Sequence, residues 1–128
     1  MLIEQAIKNR LISDTTLVGS NIHYDKATQA VVAPYIVLQK ISEPTEYGYS
    51  GTALVDSRIQ FSIFASTWTS CKAIAAEINT AFSGYAGTMG GVGGVYVSRC
   101  FRDDETDLPF DEATKLYGLA LDFKLLHA

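Results

Sequence analysis

The chain predicts an α+β fold, a mainly antiparallel sheet with two helices packed on one face, in the order α-β-β-β-α-β-β. Three observations predict it. First, Val55, Ser57, Ile59, Phe61, Ile63 and Ala65 alternate with Asp56, Arg58, Gln60 and Ser62, the period of a strand with one face in a core. Second, apolar residues recur at helical spacing in two places: Leu2, Ile3, Ala6, Ile7 and Leu11, then Cys71, Ile74, Ala75, Ile78 and Ala81. Third, Val95–Arg102 and Lys115–His127 read as a terminal hairpin, and the second of these strands sets Tyr117, Leu119, Leu121, Phe123 and Leu125 on a single face. Strand faces of this kind need a helical cover, and the two amphipathic helices supply it.

The elements follow in order. The first helix leaves Glu4, Gln5, Lys8, Asn9 and Arg10 for solvent or a neighbour and is expected to end near Ser13. Asp14 then caps a short turn that closes at Gly19, where a positive φ costs nothing. A short strand is expected at Asn21–Asp25. Pro34 opens the next strand, where a missing N–H is tolerated; Tyr35–Ser42 is rich in β-formers, and Pro44 stops it. A long polar loop leads into Val55–Ala65, and a Thr-Trp-Thr-Ser turn into the second helix, which Gly84 is placed to end. Burying that helix's apolar stripe stabilises by about 1.5–3 kcal/mol per large aliphatic side chain, more than any propensity difference, so packing fixes it.

Length and composition narrow the class. One hundred and twenty-eight residues make one domain with a single core, and 48% hydrophobic against 19% charged residues separates the chain from disordered sequences. A net charge of −4 without a Lys/Arg cluster disfavours tight nucleic-acid binding. The N-terminal MLIEQAIKNRLISD mixes charges with apolar residues, unlike a signal peptide or membrane span, so a soluble intracellular product with no membrane partner is expected. Cys71 and Cys100 form no metal or redox spacing and are expected to be free thiols.

Several constellations fail as chemistry. The glycine-rich GYAGTMGGVGGVY follows a helix and opens a strand, the reverse of a phosphate loop, and reads as a flexible connection. Asp103, Asp104, Glu105, Asp107, Asp111 and Glu112 supply oxygens, but Leu108 and Pro109 stand where a calcium loop bends at glycine and Thr114 where its closing glutamate belongs; a solvated hairpin tip is expected. A Ser or Cys nucleophile needs a base within reach, yet His23 lies near a short strand and His127 is the penultimate residue, so structural or exposed histidines are expected. No catalytic residue, cofactor or metal is therefore expected. Tyr47 and Tyr49, set among glycines and polar residues, are either exposed interface anchors or fold back over the sheet. Trp68 reads as a core or staple residue.

The segment Ala33–Phe82, and within it Ala33–Ser42, Arg58–Ala65 and Ala73–Ile78, together with the closing Leu121–His127, resembles the tail-completion or tail-terminator proteins of long-tailed bacteriophages. The resemblance implies a structural virion protein made in the host cytoplasm. Such proteins form a ring, usually a hexamer, at the head-proximal end of the tail, stop tube polymerisation and present a surface to the head connector or stopper, while DNA passes through without specific binding. Partners are then the chain itself, the tail tube protein and the head connector. Candidate contacts are Tyr47, Tyr49, Met89 and Val92 of the glycine-rich Gly84–Gly94 connection, and Asp103, Asp104, Glu105 and Asp107. Another phage neck component, such as a head-closure protein, is the nearest alternative, and a small dimeric ligand-binding protein or enzyme a more distant one.

Overall fold

The computed structural model describes residues 2–16, 18, 21–25, 32–42, 45–47 and 53–127, with 45–47 and 53–54 described by backbone alone. In chain order the elements are α1 (Ile3–Asp14), β1 (Ile22–Tyr24), β2 (Tyr35–Ser42), β3 (Thr45–Tyr47), β4 (Ala53–Ala65), α2 (Trp68–Phe82), β5 (Gly87–Met89), β6 (Val95–Asp111) and β7 (Leu116–His127). The strands form one sheet in the order β1-β2-β4-β7-β6-β5, and β3 pairs β4 beside that path. β1 and β2 run parallel; the other pairs are antiparallel. The α+β expectation holds, with β3 and β5 added as three-residue strands inside what the sequence presents as connections.

The alternation in β4 and β7 sets the core. Ile59 lies opposite Phe123, Phe61 opposite Leu121 and Ile63 opposite Leu119, all buried on one face. Phe61 meets Phe82 of α2 edge-on at 5.3 Å and Phe123 at 5.3 Å, so three phenyl rings occupy the centre. Ile3, Ile7 and Leu11 of α1 and Ile74, Ile78 and Phe82 of α2 complete the same cluster, which places both helices on this face.

Polar contacts lace the helices together. Arg10 Nε donates to the Ala81 carbonyl at 2.8 Å, and its guanidinium lies 4.0 Å from the Tyr85 ring centroid. Glu77 accepts from the Thr16 N–H and hydroxyl, both at 3.1 Å. The α1 helix runs through Asp14, which pairs with Arg10 one turn earlier instead of capping the expected turn; Gly19 lies outside the described residues. Leu2 sits at the N-cap and is exposed, so it leaves the apolar stripe, while the Gln5 side-chain oxygen accepts from its N–H at 3.0 Å.

At α2, the Thr67 hydroxyl accepts from the Ser70 N–H at 3.1 Å, an ordinary N-cap. The helix ends as expected at Gly84, whose φ is +77° and whose N–H donates to the Cys100 carbonyl at 2.8 Å, tying the helix end to β6. Trp68 corrects the sequence reading: it is 57% exposed, at the first residue of α2 and ahead of the buried stripe that Cys71 begins.

Both thiols are buried. Burial raises the Cys71 pKa, and raises that of Cys100 to about 12 against a weaker opposing effect of Arg10. The folded chain is thus expected to react slowly with an aromatic disulfide reagent at pH 8, with both thiols released together on unfolding. The unfolded chain ionises its thiols near 8.5, below their folded values and well below that of Cys100, so it binds fewer protons at alkaline pH. Stability therefore falls as pH rises above about 8.5, by about 1.4 kcal/mol per pH unit for each thiol still protonated in the fold. A fast native reaction at either cysteine contradicts this.

Candidate functional site

The longest strand carries most of the candidate surface. Asp103, Asp104, Glu105 and Asp107, expected in a solvated hairpin tip, lie instead on β6, paired with β7 out to Asp111 opposite Leu116. The tip itself is the four-residue turn 112–115, where Lys115 takes a φ of +59°. A run of carboxylates makes a poor strand by propensity, yet here the ladder to β7 supplies the hydrogen bonds and cations from neighbouring elements offset the like charge. Arg58 of β4 pairs with Asp103 on the face away from the helices, and Lys72 of α2 pairs with Asp107 at 2.5 Å on the helix side. Arg102 adds a 3.4 Å pair with Glu105. The acidic strand is thereby clasped from both faces while residues 101–107 remain exposed.

Asp104 is different. Its carboxylate accepts from the Glu105 N–H at 2.8 Å and the Thr106 hydroxyl at 3.4 Å, with no cation beside it among the described residues. In the turn, Asp111 accepts from the Ala113 N–H, and that backbone bond, with further bonds to Thr114, lowers its pKa. Among the described residues, no three His, Cys, Asp or Glu side chains come together as a metal set.

The other candidates divide. Met89, on β5, is 1% exposed and belongs to the core cluster, so as a surface contact it is withdrawn. Val92, at the tip of the β5–β6 turn, is fully exposed. Tyr47 ends β3, its backbone opposite Ala53, and its side chain is not described; Tyr49 lies outside the described residues. The Gly84–Gly94 connection is more ordered than a flexible loop: β5 pairs β6 from Gly87–Val97 to Met89–Val95, and Gly90, Gly91 and Gly93 take positive φ in the turn between them.

Sequence reasoning missed three exposed aromatics on β6, Tyr96, Phe101 and Phe110. They were legible only as β-formers, because alternation marks a strand and not which of its residues the fold leaves exposed. At the opposite end of the sheet order, Leu2, Tyr24 and Ile41 are exposed around β1 and β2, beside a shallow cavity of about 280 Å³ that Leu38, Lys40 and Glu4 help to line. His127 is buried in the sheet with its Nε2 2.7 Å from the Ser57 hydroxyl. No helix among the described residues is long and apolar enough to cross a membrane.

A family profile described as tail completion protein gp17 matches residues 5–128. The chain belongs to the tail completion protein gp17 family. It is thus a structural protein of a phage tail, and its place is the virion. The fold agrees with a chain from a structure titled "Virion of native gene transfer agent (GTA) particle", at a TM-score of 0.75 and 18% identity over 96% of this chain and 92% of that one. At that identity the likeness carries the fold alone. No curated protein sequence matches the chain.

Proposed function

We propose that this tail completion protein caps the head-proximal end of the tail tube as a ring, six copies by the family resemblance, where it ends tube polymerisation and joins the tail to the head connector. The observation that carries the reading is the tail-completion match across residues 5–128. Two structural features support it. A closed ring needs a head-to-tail interface made of two different surfaces on each subunit. Exposed apolar groups stand at both ends of the sheet order, Leu2, Tyr24 and Ile41 at the β1 end and Val92 and Tyr96 at the β5–β6 end. The net charge of −4 also suits a conduit for DNA, since like charge discourages phosphate contact.

Tyr47 and Tyr49 are the proposed anchors between neighbouring subunits, with Val92 as a further contact. Tyrosine supplies a large amphipathic surface at small entropic cost, which is why such side chains carry interfaces. Replacing both tyrosines by serine is expected to yield tails of uncontrolled length, or tails without heads, when particles made in vivo are viewed by electron microscopy. Joined tails of normal length remove these two residues from the mechanism.

A further inference from the structure

We propose that the outer edge of β6, from Phe101 to Leu108, receives an extended Lys/Arg-bearing segment of a different virion protein, which adds one more strand to the sheet. The edge itself is a property of the fold; only the naming of the partner as a virion protein rests on the tail reading.

β7 occupies one side of β6 along most of its length. β5 covers the other side at Val95–Val97, and Gly84 takes the Cys100 carbonyl. Beyond Cys100 no described strand lies on that side. In an antiparallel strand, alternate residues turn their N–H and C=O away from the partner, so half of this stretch turns backbone groups to a side that no described strand pairs; the Glu105 N–H is met by the Asp104 carboxylate. Pro109, which has no N–H to offer, marks where the usable edge ends. The eight residues before it exceed the five or so of an average strand, enough to hold an added one.

Charge selects the occupant. Residues 1–100 carry seven acidic and seven basic side chains, whereas residues 101–128 carry seven acidic and three basic, so the net charge of −4 is that of residues 101–128. A second copy that paired β6 with β6 would set carboxylate against carboxylate, which destabilises cross-strand pairs, and the rest of the chain offers no excess of positive charge to replace it. Asp103 and Asp107 are engaged by Arg58 and Lys72 and hold the strand in place. Asp104, with no cationic partner among the described residues, is the group an incoming lysine or arginine meets, and exposed Phe101 offers an apolar contact beside it.

The test is amide hydrogen exchange on the full chain, alone and with a short peptide of alternating lysine and threonine or with its glutamate counterpart. The lysine peptide is expected to slow alternate amides between residues 101 and 108 by about tenfold, with the effect lost at high salt. The glutamate peptide is expected to do nothing. Asp104→Lys should abolish the protection while β4 and β7 amides keep theirs, which separates lost binding from lost folding. Absence of protection at 101–108, equal protection by the glutamate peptide, or protection that grows with protein concentration alone overturns the proposal. None of these outcomes bears on tail length, so this inference and the ring reading fail separately.

Discussion

Phe61→Ala is expected to lower the free energy of unfolding by about 3–5 kcal/mol. Phe61 is fully buried between the sheet and α2, with the rings of Phe82 and Phe123 each 5.3 Å away. Truncation removes the transfer free energy of the side chain and two aromatic contacts, and leaves a cavity whose walls belong to three different elements. β4 cannot move inward to fill it, because the strand is held between β2 and β7 by ladders on both sides. A natural domain has only about 5–15 kcal/mol to lose, so the variant approaches the threshold of folding. Urea titration checks this: the midpoint should fall with the slope unchanged. A loss below about 1 kcal/mol, as expected of a surface position, places Phe61 outside the core.

Gly94→Ala is expected to be almost as damaging although it adds a single methyl group. A Cβ at this position falls 2.1 Å from the Met89 carbonyl oxygen and 2.9 Å from that of Gly91, both backbone atoms that no rotamer change can remove. Relief requires opening the β5–β6 turn and dragging Met89 from the core, at a cost of about 3 kcal/mol. Gly91→Ala is the control. It has a φ of +83° and nothing within 4 Å, so only backbone strain of about 1–2 kcal/mol is expected. Thermal unfolding of the two variants should therefore rank Gly94→Ala clearly below Gly91→Ala. The reverse order means that the turn is not closed as described.

What was legible in the sequence was what the core requires. Val55–Ala65 and Tyr117–Leu125 alternate because one face is buried, and Cys71–Ala81 repeats at helical spacing because one stripe is; the structure places these residues accordingly. What escaped was fixed by neighbours. From Asp103 to Asp111 the strand has no buried face, so its side chains carry no period, and its conformation comes from β7 together with Arg58 and Lys72, distant in sequence. β5 is three residues between glycines, and its one informative side chain, Met89, reads as a surface methionine until its strand is seen to pair with β6. Trp68 fails for a related reason: a helix start reports which residue begins the turn, while its exposure depends on what lies above the sheet there. The candidate surface followed the same division. The carboxylates were found by composition, their placement along a sheet edge only by the fold.

The central claim is that this chain ends the tail at the head, and tail length measures it most directly. Electron microscopy of particles produced without the protein should show tubes of broadly distributed, excessive length and separate, unjoined heads, and supplying the chain should restore uniform joined tails. Tails of normal length attached to heads in its absence would contradict the account.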